Sequence, residues 1–235
     1  MAQWFYLILD VLTILFPLLW TWDKRIGFRR WLRPIFLGIL VANMIYWPWD
    51  VWFTADGVWG FNDDFHLPFT LFHLPLEEWL WFIVTPYACF FILASVHYFK
   101  HRLPVFPHRW IHIGLGVLIG MIAIWADGIY TQMAFGVASV SMLISAFRHV
   151  NWSWFWLMYA ITLIPFFIFN SALTGAFTAD PVVWYNHAEN LGIRMGTIPL
   201  EDSLYLLAYL QIIFLFVGNL VTETPDKRST GSITV

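Results

Sequence analysis

Seven apolar runs separated by polar stretches divide the chain, at residues 4–22, 31–49, 77–98, 110–126, 131–147, 153–173 and 201–221. An α-helix needs about 20 apolar residues to cross roughly 30 Å of hydrocarbon, and each run comes close to that length, the shorter ones with help from their aromatic ends. The pattern predicts an all-α integral membrane protein with seven transmembrane helices. Basic residues set its orientation. Lys24, Arg25, Arg29 and Arg30 lie between the first two runs with Arg33 at the start of the second, and Lys100, Arg102 and Arg109 lie between the third and fourth. Arg148 follows the fifth, and Lys227 and Arg228 follow the seventh. With seven crossings all of these fall on one side and only Arg194 on the other. The positive-inside rule then predicts a multi-pass protein of the cell (inner) membrane, N-terminus outside and C-terminus cytoplasmic. The first run has its charges after it, so it is expected to be a retained helix, not a cleaved signal peptide.

Composition agrees. Hydrophobic residues make up 60% of the chain and charged ones 11%, which excludes an ordinary soluble domain and a disordered chain. A single cysteine, Cys89, excludes an intrachain disulfide and a cysteine-based metal cluster. The net charge of −3 decides little, because in a membrane protein the placement of charge matters more than its sum; no nucleic-acid partner is expected.

The two long external loops, 50–76 and 174–200, repeat each other. At a constant offset of 124, identities fall at Phe53/Phe177, Thr54/Thr178, Ala55/Ala179, Asp56/Asp180, Val58/Val182, Asn62/Asn186, Leu67/Leu191, Pro75/Pro199, Leu76/Leu200, Glu77/Glu201 and Leu80/Leu204. Biased composition yields Leu and Phe matches, but hardly Asp, Asn, Pro and Glu in register. An offset spanning four crossings leaves both copies running in the same direction, about a two-fold axis along the membrane normal. The expected organisation is two parallel three-helix repeats, 1–100 and 129–221, joined by a linker with the fourth helix, 101–128, and ending in a polar tail, 222–235.

Each copy enters a helix through Pro-Leu and two acids: Pro75, Leu76, Glu77, Glu78, and Pro199, Leu200, Glu201, Asp202. Acids in a first turn complement the helix dipole. Dipole complementation does not account for paired acids at both symmetry-related positions of a charge-poor membrane protein, where such groups are costly and usually functional. Adjacent residues stand about 100° apart on a helix, so one acid of each pair is expected to face a central cleft. Glu77 and Glu201 are the preferred members.

On these residues the chain resembles the non-flavin lycopene cyclases, built from two small membrane domains that occur as a heterodimer or as one fused chain. The first half is similar over Asp50, Gly57-Val58-Trp59, Phe61-Asn62 and Pro75 to Leu80. The second is similar over Asn170 to Gly175, Val182, Val183, Tyr185 and Leu191 to Asp202. Thr174 stands where the first copy has Asp50, so the halves are not chemically equivalent. The resemblance implies redox-neutral closure of the ψ-ends of lycopene, or a related carotene, into β-ionone rings, giving γ-carotene and β-carotene, with no cofactor and no metal. An acid protonates C2, the C5=C6 bond attacks the cation at C1, and a base removes a proton from C6.

Such chemistry needs a dry site that stabilises a carbocation, which aromatic faces provide at about 2 kcal/mol or more when desolvated. Trp59, Trp79, Trp81, Trp184 and Tyr205 flank the acids. Glu77 and Glu201 are expected to converge and share donor and acceptor duties. Glu78, Asp202, Asp56, Asp180, Asn62 and Asn186 are the expected supporting shell, and Arg194 is expected to orient a carboxylate or to meet a lipid headgroup. A second reading, a membrane di-iron hydroxylase or desaturase, rests on His97-x-x-x-His101 and His108-x-x-x-His112. It lacks a full ligand set, and a solvated basic loop explains those residues better. A third, a carotenoid-binding or transport protein, would leave lycopene unchanged. Gly114, Gly116 and Gly120 are expected to serve helix packing. Asp10 has no assigned role, and the oligomeric state is open.

Overall fold

The computed structural model describes residues 2–100 and 102–221. The polar tail from Thr222, with Lys227 and Arg228, and His101 lie outside the described residues. The helices are α1 Phe5–Trp20, α2 Leu32–Ala55, α3 Leu76–Phe99, α4 His108–Trp125, α5 Ile129–Ala146, α6 Trp152–Leu173 and α7 Leu200–Val217. With short lead-in turns before α1 and α2, all seven are long and apolar enough to span a bilayer, which makes this a multi-pass membrane protein.

Six of the seven boundaries follow hydropathy within a few residues. The exception is α2, whose apolar run ends at residue 49 although the helix continues to Ala55. Asp50, read as the start of a loop, therefore sits inside a helix between the buried Trp49 and Phe53. Backbone groups at membrane depth must be bonded within the chain, so a polar side chain does not end the helix there. Pro48 does not end it either, and Pro17, Pro86 and Pro165 likewise lie inside helices.

The bundle repeats itself. Helices α1 and α5 begin 124 residues apart, as do α3 and α7. Helix α1 packs on α3 as α5 packs on α7, and α2 packs on α7 as α6 packs on α3. Helix α4 lies against α5, outside this scheme. Lipid tails are as apolar as leucine, so association relies on close packing and interhelical hydrogen bonds. Tyr209 on α7 donates to Asn43 on α2 (2.6 Å), and Asn170 on α6 donates to Asp202 on α7 (2.7 Å), so both asparagines bond between helices. A Cβ on Gly116 would meet Leu143 at 3.0 Å and one on Gly120 would meet Ser139 at 2.7 Å, so these two glycines let α4 close on α5. Gly114 faces open space instead.

At the outer end the repeats join through strands. β1 (Trp59–Phe61) pairs antiparallel with β4 (Val183–Tyr185), with Gly60 opposite Trp184, its own counterpart at the 124 offset. The flanking bonds are equivalent as well, Asn62 N to Val182 O (2.9 Å) and Asn186 N to Val58 O (2.8 Å). A Cβ on Gly60 would lie 2.4 Å from the Trp184 ring, so any larger residue must displace that ring. Two matching hairpins, β2 (Thr70–Leu71) with β3 (Leu74–Pro75) and β5 (Arg194–Met195) with β6 (Ile198–Pro199), deliver the chain into α3 and α7.

The histidines correct the solvated-loop reading. His97 on α3 is buried between Trp31 and Trp154, and His112 on α4 is buried and accepts from Trp156 Nε1 at 3.0 Å. Aromatic packing explains them. Among the described residues no three His, Cys, Asp or Glu side chains are grouped to hold a metal.

Candidate active site

Beneath the β1–β4 pair lies a cavity of about 90 Å³, walled by residues of both repeats. Its acids are Asp50 from α2, Glu78 from α3 and Asp202 from α7. Tyr6 on α1 donates to Glu78, and Tyr130 on α5 donates to Asp202. These bonds are symmetry mates, since Tyr6/Tyr130 and Glu78/Asp202 both differ by 124. Asp202 also accepts from Asn170 Nδ2 at 2.7 Å and from Tyr185 OH at 2.9 Å. Burial first, and then the Asp202 charge, push the Tyr185 phenol well above its ordinary value and keep it a donor. Tyr130, Asn170 and Tyr185 are all donors to Asp202, an arrangement that suits an ionised carboxylate.

Asp50 is different. Trp59 Nε1 donates to its Oδ1 at 2.8 Å, while its Oδ2 is buried without a partner. Its mate Thr174 instead turns its hydroxyl to the Asn170 carbonyl at 2.9 Å. The cavity is therefore two-fold in plan but asymmetric in chemistry. Aromatic rings line it: Trp59 packs edge-on to Tyr130 (5.0 Å), Tyr130 stacks on Tyr185 (5.9 Å, 15°), and Tyr205 and Trp81 complete the wall.

Glu77 and Glu201 do not converge on this cavity, which corrects the preference within each pair. Each is fully buried but turned toward the loop that precedes it. Leu67 N donates to Glu77 Oε1 at 2.8 Å, and Leu191 N donates to Glu201 Oε1 at 2.7 Å, again mates at 124. Thr131 adds a bond to Glu201 at 2.6 Å. The two residues tie the external loops to the starts of α3 and α7. One helical step turns the next residue inward, so Glu78 and Asp202 take the cavity positions.

The expected shell divides in the same way. Trp59, Trp81 and Tyr205 line the cavity. Asp56 is exposed and bonded to Trp52 (2.6 Å), and Asp180 is exposed. Asn62 and Asn186 each accept from a loop amide at 3.1 Å, those of Asp64 and Ala188. Trp79 packs on Trp47 and donates to the Leu71 carbonyl, and Trp184 covers Gly60. Arg194 donates to the Thr197 carbonyl and lies over the Tyr185 ring at 5.8 Å, with no ion pair to a carboxylate among the described residues. None of the last seven, Asp56, Asp180, Asn62, Asn186, Trp79, Trp184 and Arg194, lines the cavity. Tyr6, Asp50, Tyr130, Asn170 and Tyr185 were not foreseen as site residues. Extending the repeat backward from residue 53 reaches Tyr6/Tyr130, a signal that the sequence does carry.

Asp10 on α1 is buried, with both carboxylate oxygens unpartnered, and interacts electrostatically with Glu78 and Glu77.

No curated protein and no solved structure matches the chain. A family model for lycopene cyclase matches residues 3–96 and 127–219. The first segment contains Tyr6, Asp50 and Glu78, and the second contains Tyr130, Asn170, Tyr185 and Asp202. With most of its length inside those two segments, the chain belongs to the lycopene cyclase family.

Proposed function

We propose that the protein is a lycopene β-cyclase that closes ψ-ends in the cavity between its two repeats by proton-initiated, redox-neutral isomerisation. The observation that carries this reading is the buried set of three acids, walled by aromatic rings and built from both halves of the chain. Alkenes are weak bases, so the proton donor must be a neutral acid held out of water, next to groups that stabilise the cation as it forms.

Asp50, with one oxygen free of any partner, is the donor to C2. The C1 cation is attacked by the C5=C6 bond, which moves the charge to C5. The faces of Trp59, Tyr130 and Tyr205 stabilise this charge, each by about 2 kcal/mol when desolvated. Asp202, surrounded by donors and ionised, removes the proton from C6, and the electron pair of that C–H bond closes the ring double bond. One proton has then moved from Asp50 to Asp202. Glu78, on the wall of the same cavity, returns it, so no net proton or electron is consumed. The basic residue distribution supports an orientation with this cavity near the outer face and the C-terminus in the cytoplasm.

Expression in a lycopene-accumulating host should convert the pigment to ring-bearing carotenes. Purified Asp50→Asn and Asp202→Asn proteins should bind lycopene and leave it acyclic. Unchanged lycopene with the wild-type protein would overturn the proposal.

A further inference from the structure

The acid cavity is far smaller than the roughly 300–1,000 Å³ of an ordinary ligand pocket, and so cannot hold a long carotene. A second cavity of about 400 Å³ adjoins it between α1, α3 and α6, and Trp81, Thr85 and Phe166 line both. The wall of the second cavity is almost wholly apolar. Phe16 and Phe99, both largely exposed, flank its end away from the acid cavity, so it opens sideways where lipid would lie.

Two-fold symmetry predicts a matching cleft between α5, α7 and α2, and there the helices are closed. Thr162 and Cys89 line the open cleft, whereas their counterparts are Gly38 and Ile213, which touch. A Cβ on Gly38 would lie 2.9 Å from the Ile213 side chain. Thr85 corresponds to the larger, buried Tyr209, whose hydroxyl reaches Asn43 at 2.6 Å and the Phe82 carbonyl at 2.7 Å. Pro17 and Pro165 border the open cleft, each lacking the N–H of a helical hydrogen bond. Their counterparts are Ser141, bonded to Gln211, and Val41.

We propose that the cleft between α1, α3 and α6 holds the polyene chain of the carotene and, being open on one side of the two-fold only, admits one ψ-end per binding event. The inference rests on the cyclase reading above. It requires a product with two rings to form by release, reversal and rebinding of a one-ring intermediate.

Ala88 and Ser95 line the cleft but not the acid cavity. Purified Ala88→Trp and Ser95→Trp proteins should be compared on lycopene and on a truncated aldehyde carrying one ψ-end and a few double bonds. The ratio of kcat/KM for lycopene to that for the truncated substrate should fall at least tenfold. An unchanged ratio would overturn the proposal, whether because a lipid tail occupies the cleft or because the variants harm the fold equally for both substrates. A wild-type protein that cyclises neither substrate would instead defeat the cyclase reading. With lycopene in excess, a one-ring carotene should appear free in the detergent phase before any two-ring product. Two-ring product formed without it would also overturn the proposal.

Discussion

Replacing the two acids of each pair separates anchoring from chemistry. Glu201 holds two donors, the Leu191 amide and the Thr131 hydroxyl, and Glu77 holds one, the Leu67 amide. A buried donor stripped of its partner costs about 1–3 kcal/mol. Glu201→Ala should therefore destabilise the protein by about 2–6 kcal/mol and Glu77→Ala by about 1–3 kcal/mol. Glutamine keeps an acceptor oxygen in place, so Glu77→Gln and Glu201→Gln should retain most of both stability and cyclisation. Glu78→Gln should keep a near wild-type melting temperature in detergent, Asp202→Asn, which leaves one acceptor oxygen for three donors, should lose about 1–3 kcal/mol, and both should lose cyclisation by orders of magnitude. Melting temperature and product formation on the same preparations supply the test. Loss of cyclisation in Glu77→Gln or Glu201→Gln at unchanged melting temperature would refute the argument and restore the first acid of each pair to the chemistry.

Tyr130→Phe leaves Asp202 two donors, whereas Tyr6→Phe removes the donor of Glu78, so kcat should fall further in Tyr6→Phe; equal effects would count against the assigned asymmetry. Gly60→Ala forces the Trp184 ring aside and should cost about 1–3 kcal/mol, read as a lower melting temperature. The Tyr185 phenol, raised in the folded state, binds its proton more tightly than in the unfolded chain. Its stabilisation is complete below about pH 10 and is lost as pH rises from there through its folded value, so its 295 nm ionisation signal should be missing from an alkaline titration of the native protein near pH 10 and appear on unfolding.

The helices were legible because hydropathy at membrane length is a one-dimensional signal. The repeat was legible because Asp, Asn, Pro and Glu recur in register. Which acid of Glu77-Glu78 faces inward was not, since both lie in the first turn and differ only by rotation. That rotation is fixed by the β2–β3 hairpin and by the Leu67 amide, which claims Glu77 first. Asp50 was misplaced because hydropathy falls at Pro48 and Asp50, although the backbone continues to follow helical bonding. Asp56/Asp180 and Asn62/Asn186, identical between the repeats, shape the loops, so identity within a repeat reported architecture there and chemistry only at Tyr6/Tyr130. The open cleft was invisible for the opposite reason: it depends on where the repeats differ, at Thr85/Tyr209 and Thr162/Gly38.

The pairing of Gly60 with Trp184 bears on why the two halves belong to one chain. In an antiparallel pair of equivalent strands, the rotation axis passes between residues that are each other's counterparts. Were the halves identical polypeptides, that position would face a copy of itself, as two tryptophans in collision or two glycines leaving a hole. Distinct sequences on either side allow a small residue to meet a large one, and the same freedom lets an aspartate stand where its counterpart is a threonine.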